Sequence, residues 1–124
     1  MSVNQTARRV LAIEKKAIEE IASKLGRAFE RTCELILKCR GRVVVTGMGK
    51  PGFIAQKISA TLSSTGTPSL YVHPAEALHG DLGRIMKDDV VLVFSSSGET
   101  EEIVKLLPLV QKNRRHAHRV FGQP

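Results

Sequence analysis

Four hydroxyl side chains and a glycine stand where a predicted strand turns into a predicted helix. They are Ser95, Ser96, Ser97, Gly98 and Thr100. The apolar run before them predicts a buried strand, and the apolar spacing after residue 100 predicts a helix. N–H groups at a helix start are unpaired and carry the positive end of the helix dipole, so this turn suits an anion, most often phosphate. The alternative is a serine-rich turn that only caps the helix.

A second glycine loop, Gly47-Met48-Gly49-Lys50-Pro51-Gly52, follows another predicted strand. Its G-x-G-x-x-G pattern is typical of dinucleotide sites. Such sites also need an acid at the end of the next strand, whereas here the nearest acid, Glu76, lies beyond that end. The loop therefore predicts close approach of backbone to a ligand. Lys50 is favoured as a cation for a phosphate or an oxyanion, with a solvated lysine as the alternative and a nucleotide-binding fragment as the weaker hypothesis.

Residues 73–83 gather two histidines and two acids: His73, Glu76, His79 and Asp81. Histidine is the natural proton shuttle near neutral pH, so this segment favours acid–base chemistry. The alternative is a loop held together by side-chain hydrogen bonds. His73, Glu76 and His79 could supply three metal ligands, but their spacing matches no metal signature, and we rank metal binding below acid–base chemistry.

Three acids, Glu99, Glu101 and Glu102, crowd the predicted anion site. At ~6 Å and an effective dielectric near 20, two like charges repel by roughly 3 kcal/mol. Most of these acids are therefore expected to face away from the site. An acid held facing it would have a raised pKa and would suit a general base. The spacing leaves open which of the three this is.

The elements that must position these loops follow from hydrophobic periodicity. Residues 1–40 predict an amphipathic helical arm, split near Gly26, whose apolar face needs a partner. Residues 41–111 alternate strand and helix, which predicts an α/β fold, a parallel sheet of about three strands flanked by helices. Because sites in such sheets lie at the carboxyl ends of the strands, the three loops could converge there. Pro108 is expected to kink or end the last helix, and 112–124 is predicted to be an irregular basic tail.

Composition narrows the function classes. The chain has 124 residues, 42% hydrophobic and 25% charged, as expected for one globular domain. It shows no apolar run of the roughly 20 residues a membrane span needs and no signal peptide, so we expect a cytoplasmic protein without membrane contact. The net charge is +7, partly from the tail, but aromatic content is 4% and nucleic acid is not an expected partner. Both cysteines, Cys33 and Cys39, are expected to be reduced.

Taken in order, these motifs resemble the sugar isomerase (SIS) domain, and specifically the arabinose 5-phosphate isomerase family, from about residue 6 to residue 110. Four sequences carry the resemblance: VVVTGMGK at 43–50, STGTP at 64–68, HPAEALHGDLG at 73–83 and SSSGET at 95–100. The ordered set is highly specific, whereas S-x-S-G-x-T alone indicates only the broader domain.

The resemblance implies interconversion of D-arabinose 5-phosphate and D-ribulose 5-phosphate, a step toward Kdo of lipopolysaccharide and some capsules. By position, Ser95, Ser97 and Thr100 would hold the phosphate, within the loop that includes Ser96 and Gly98. Glu102 would be the base or acid, Lys50 the electrostatic stabiliser, and His79 a positioning or proton-shuttling group. Gly47, Gly49 and His73 would line the substrate. The resemblance implies a homo-oligomer, tetrameric in the family, and neither a metal nor an organic cofactor.

This sequence departs from the family in two places. Pro51 stands where members usually have a small residue, often serine, although proline suits the first turn of a helix. The family pattern stops near residue 110, where members continue with further strands, another active-site glutamate and histidine, and often CBS modules. We therefore expect a partial SIS domain. A non-catalytic phosphosugar-binding module, or an inactive fragment, is the alternative to an isomerase.

Overall fold

The computed structural model of this chain describes residues 1–113 and 117–121. It divides into two compact units, Met1–Glu34 and Leu35–Pro124, so the first unit is shorter than the predicted arm of residues 1–40. None of the described helices is long and apolar enough to cross a membrane.

The arm consists of two helices, α1 (Val3–Lys24) and α2 (Arg27–Leu37), separated at Gly26 as predicted. Ser2 and Gln5 start α1 with reciprocal hydrogen bonds: the Gln5 N–H donates to Ser2 Oγ over 3.2 Å, and the Ser2 N–H donates to Gln5 Oε1 over 2.7 Å. This capping box satisfies two of the N–H groups that a helix start leaves unpaired. No residue of α1 is buried, so its apolar stripe is an exposed face.

The second unit is built on a four-stranded parallel sheet with the order β2-β1-β3-β4. Valine-rich strands suit its centre because parallel strands are covered on both faces. The predicted α/β architecture, a parallel sheet flanked by helices, is confirmed. The elements are β1 (Val43–Gly47), α3 (Lys50–Ser64), β2 (Ser69–Tyr71), α4 (Pro74–Leu78), a 3₁₀ turn (Asp81–Arg84), β3 (Val90–Ser95), α5 (Glu101–Asn113) and β4 (Ala117–Phe121).

Strand alternation divides the core into two layers. Val43 and Val45 of β1 face α3, together with Ala55 of that helix. Val44 faces the other way, into a layer with Ala77 of α4 and with α5. The α5 side chains of that layer are Ile103, Leu106, Leu107 and Val110. Helices therefore cover both faces of the sheet. The loops that leave the carboxyl ends of the strands lie at one edge of the sheet, between these two layers.

The end of the chain differs from the prediction. Helix α5 continues to Asn113, past Pro108, and the predicted irregular tail contains β4, which pairs with β3 from Val91↔Ala117 to Ser95↔Phe121. Residues 114–116 and 122–124 of that predicted tail lie outside the described residues. Pro108 is exposed and Val104, whose carbonyl loses its helical partner, is also exposed, so water can satisfy that carbonyl while buried neighbours hold the helix in place.

The fourth strand has a plain physical reason. Without it, β3 would present a row of unpaired N–H and C=O groups at the edge of the sheet. Backbone pairing with β4 satisfies that row and depends little on which side chains the strand carries. About three strands were predicted because residues 112–124 are rich in charge and were expected to be solvated. Backbone pairing with β3 decides the structure there instead.

Asp89 joins the amino ends of β1 and β3. Its carboxylate is 2% exposed and accepts hydrogen bonds from the backbone N–H groups of Arg42, at 2.8 Å, and Met86, at 2.7 Å. The Arg42 guanidinium lies 3.4 Å from Asp89 Oδ2. Burial raises the pKa of Asp89, but the two backbone hydrogen bonds and the Arg42 charge lower it by more, so the net pKa is lowered. The carboxylate is therefore ionised across the neutral range.

Candidate active site

Strand order places a crevice between β1 and β3. The chain leaves β1 toward β2 on one side and then returns to β3 on the other side, so the order reverses between β1 and β3. In open parallel sheets, ligands bind outside the carboxyl ends of the strands at such a reversal. Gly47 of β1 pairs with Phe94 of β3, so the loops after these two strands begin side by side. They are two of the three loops that the sequence marked.

The loop after β3 is shaped by its own serines. Ser95 Oγ accepts the N–H of Gly98 at 2.8 Å, and Ser97 Oγ accepts the N–H of Glu99 at 3.1 Å. Gly98 has a φ of 71°, which favours glycine. Each serine hydroxyl still has its proton to donate, because accepting a bond leaves the O–H free. The loop thus combines a tight turn with hydroxyl groups that keep a proton to donate.

Helix α5 begins directly after this loop. Thr100 is half-buried and its carbonyl accepts the N–H of Val104 at 2.9 Å, which starts the helical pattern. The first-turn N–H groups of α5 have no intrahelical partner and carry the positive end of the dipole. Ser96 and Ser97 are exposed beside them. Hydroxyl groups and unpaired helix N–H groups therefore lie next to each other at the start of α5, and their binding of an anion stays a prediction.

The loop after β1 brings backbone and a cation to the same edge. Gly49, with a φ of 67°, is the N-cap of α3, and Lys50 and Pro51 open that helix, so the fold accepts the proline as expected. Lys50 is exposed. A Cβ atom on Gly52 would lie 2.6 Å from the Gly47 carbonyl oxygen, so only glycine lets α3 approach β1 this closely.

The loop after β2 carries the two histidines in different roles. His73 is half-buried and caps α4: its Nδ1 accepts the N–H of Ala75 at 3.1 Å. An acceptor at Nδ1 requires that a neutral ring carry its proton on Nε2. His79 is the C-cap of the same helix and is exposed. His73 therefore builds the loop, while His79 has an exposed imidazole at the end of α4.

The three acids near α5 are distinguished by their partners. Glu101 lies 2.5 Å from Lys105 Nζ, four residues along the helix. The hydrogen bond and charge of Lys105 lower the pKa of Glu101, so this pair is ionised and exposed. Glu99 is also exposed, whereas Glu102 is half-buried in the first turn of α5. Glu102 is thus the partly buried member of these three acids.

Sequence reasoning missed two residues at this edge. Tyr71 Oη donates to the Gly47 carbonyl at 2.7 Å and so ties the end of β2 to the loop after β1. Thr46 is 2% exposed, and its Oγ1 has no hydrogen-bond partner among the described residues. The signal for Thr46 was present, since it is the one polar residue after three valines in a buried strand.

Other candidate features lie away from this edge or do not form in the described part of the chain. No group of three His, Cys, Asp or Glu side chains among the described residues is placed to hold a metal ion. Cys33 and Cys39 are free, as expected. An open pocket of about 320 Å³ lies near the amino ends of the strands, where Cys39, Asp88 and Val90 are among the lining residues.

Known proteins share much of this sequence. The profile of the SIS domain family matches residues 36–120. The arabinose 5-phosphate isomerase KdsD of Pseudomonas aeruginosa is 55% identical over 107 residues, which cover 86% of this chain and 33% of that protein. The protein of the same name from Escherichia coli K12 is 47% identical over 120 residues, which cover 97% of this chain and 37% of that protein.

A solved structure extends the likeness to three dimensions. The c3406 protein of Escherichia coli CFT073, solved in complex with arabinose 5-phosphate, superposes with a TM-score of 0.89 at 40% identity. The match covers 98% of this chain and 66% of that one. This chain spans about a third of the length of the two KdsD relatives.

Proposed function

Because the chain belongs to the SIS domain family, we propose that it binds a sugar phosphate at the carboxyl edge of β1 and β3. The observation that carries the proposal is the serine-rich turn before α5, where the hydroxyls of Ser95 and Ser97 accept the N–H groups of Gly98 and Glu99 directly before a helix N-terminus. Ser95, Ser96, Ser97, Gly98 and Thr100 form the phosphate site. Gly47, Gly49 and His73 shape the adjoining loops that face the sugar.

The proposed reaction is the interconversion of D-arabinose 5-phosphate and D-ribulose 5-phosphate, the activity for which the KdsD relatives are named. Glu102 removes the proton from C2 of the aldose, and the electrons move onto the carbonyl oxygen to give an enediolate. Lys50 stabilises the negative oxygen. The hydroxyl proton then moves from the oxygen on C2 to the oxygen on C1, and Glu102 returns its proton to C1, which gives the ketose. His79 positions the sugar or moves the hydroxyl proton.

Two features support this assignment of roles. Glu102 is the half-buried acid in the first turn of α5. Its neighbour Glu101 is exposed and forms an ion pair with Lys105. Lys50 is exposed at the start of α3. It lies three residues after Gly47, which pairs with Phe94 near the end of β3. The homo-oligomer and the cytoplasmic location stay predictions.

The test is turnover of arabinose 5-phosphate by the 124-residue chain, followed by proton NMR in D₂O. We expect deuterium to enter the sugar next to the carbonyl carbon as ribulose 5-phosphate forms. Glu102→Gln should lower turnover by about 10²–10⁴-fold, the usual effect of losing a general base. Glu101→Gln is the matched control and should leave turnover unchanged.

The second candidate is a phosphosugar-binding module without catalysis. The chain spans about a third of the length of the isomerases it resembles, so binding and turnover are measured separately. Binding of arabinose 5-phosphate with no isotope exchange and no ketose would support this candidate over the isomerase.

A further inference from the structure

Thr46 is a buried hydroxyl in an apolar setting. It is the fourth residue of β1, is 2% exposed, and its Oγ1 has no hydrogen-bond partner among the described residues. Buried polar groups in folded proteins almost always have a partner, and burying an unpaired hydroxyl costs free energy that a valine would not. The other residues before Gly47 in this strand are valines. A hydroxyl at this position therefore needs an explanation beyond packing.

The residues around Thr46 limit which groups could hydrogen-bond to its hydroxyl. By strand alternation it shares a face with Val44, in the layer beneath α4 and α5. Val93 is its pairing partner on β3, and Val72 continues β2 alongside it. Both valines are 1% exposed and offer no polar atom in their side chains. The next residue of β3 on this face toward the carboxyl edge is Ser95, which is buried and polar.

Strand geometry sets the gap between these two hydroxyls. Ser95 lies two residues beyond Val93, so its Cα is about 8 Å from that of Thr46, given about 3.3 Å per residue along a strand and 4.8 Å between strands. Two hydrogen bonds through a single water span about 5.6 Å. Thr46 Oγ1 makes no hydrogen bond to Ser95 or to any other described residue, so a link between these two hydroxyls on the same face of the sheet requires a bridging water.

We propose that Thr46 is a positioning residue, which holds the Ser95 hydroxyl through one buried water. Ser95 Oγ accepts the N–H of Gly98, so fixing this hydroxyl fixes the turn that precedes the start of α5. Thr46 thus stabilises the turn of the proposed phosphate site without contacting the ligand. The effect on ligand affinity rests on the proposed function, whereas the effect on the loop does not.

Three variants separate this role from packing. Thr46→Val removes the hydroxyl and keeps the shape, and Thr46→Ser keeps the hydroxyl and removes the methyl group. Ser59→Ala is the matched control, because Ser59 Oγ is a buried hydroxyl that lies 2.9 Å from Ser69 Oγ near the other end of the sheet. Amide hydrogen exchange of Gly98 in the free protein is the first measurement, and the dissociation constant for arabinose 5-phosphate is the second.

We expect Gly98 to exchange about fivefold faster in Thr46→Val, the change that follows from weakening one hydrogen bond. The dissociation constant should rise by a similar factor, with both values restored in Thr46→Ser and unchanged in Ser59→Ala. Equal Gly98 exchange in Thr46→Val and wild type would overturn the proposal. Faster Gly98 exchange in a protein that binds no sugar phosphate would instead overturn the proposed function and leave the role of Thr46 standing.

The wild-type protein gives a check that needs no variant to fold. A long-lived water beneath the loop should give a nuclear Overhauser effect between water and the Thr46 methyl group. The absence of that effect would overturn the proposal, because the Thr46 methyl group is otherwise shielded from solvent.

Discussion

Replacing Asp89 by alanine should destabilise this fold strongly. The carboxylate is buried and accepts the backbone N–H groups of Arg42 and Met86, so its removal breaks two part-buried hydrogen bonds. Loss of the acceptor costs about 1–3 kcal/mol for each such bond. The Arg42 guanidinium adds little, since its side chain is 42% exposed and such pairs contribute about 0–1 kcal/mol. We expect a loss of about 3–5 kcal/mol.

The matched variants are Asp89→Asn and Asp88→Ala. An asparagine keeps one acceptor oxygen and so should lose about half as much stability as alanine. Asp88 is the exposed neighbour in sequence, and changing its side chain should alter stability by less than about 0.5 kcal/mol. Urea unfolding at pH 7, followed by circular dichroism, measures all three variants. A loss below about 1 kcal/mol in Asp89→Ala, or an equal loss in Asp88→Ala, would refute the reasoning.

The same carboxylate predicts how stability depends on acid. The pKa of Asp89 is lowered in the folded protein from its ordinary value of 3.8, so the folded state favours the charged form. Its contribution is fully present above about pH 4 and is lost as the pH falls through the lower folded pKa. Asp89→Asn should flatten that acid limb. An unchanged limb in this variant would show that another group controls it.

Two further predictions concern the loops around β1, both read out by unfolding. Gly52→Ala should destabilise the protein by about 1–3 kcal/mol, because the added Cβ atom would lie 2.6 Å from a backbone oxygen. Gly26→Ala is the control and should not destabilise the protein, because no atom lies within 4 Å of the added Cβ. Equal losses in the two variants would contradict this prediction. Tyr71→Phe should lose about 0.5–1.5 kcal/mol with its hydrogen bond. Burial raises the pKa of Tyr71 above 10.0, so its contribution is lost as the pH rises through that folded value, and an alkaline limb that persists in Tyr71→Phe would contradict the assignment.

Much of the fold could be predicted because local pattern and packing agree. Gly26 separates two amphipathic helices, and the valine run of β1 forms the centre of a parallel sheet. The same agreement fails at the end of the chain. Helix α5 continues past Pro108, because the carbonyl that loses its hydrogen bond lies on the exposed face of the helix. Strand β4 forms through backbone pairing with β3, and hydrophobic periodicity does not predict such pairing.

The candidate site was predictable in its loops and less so in its support. Glycines and serines at strand ends predict tight turns, which a sequence shows directly, and the binding of an anion there stays a prediction. The proposed choice among the acids rests on the ion pair of Lys105 with Glu101 and on the partial burial of Glu102, and neither can be predicted from the sequence. The Tyr71 bond to the loop after β1 joins residues 24 positions apart, and only the strand register brings them together.

The central claim is that the loop before α5 binds a phosphorylated sugar, and calorimetric titration tests it most directly. At fixed ionic strength, arabinose 5-phosphate should bind saturably and be displaced by inorganic phosphate, while D-arabinose should not bind. Ser97→Ala should weaken binding about tenfold, the effect of losing a hydrogen bond to a charged group. Equal heats for the two sugars, or full affinity in Ser97→Ala, would contradict the account.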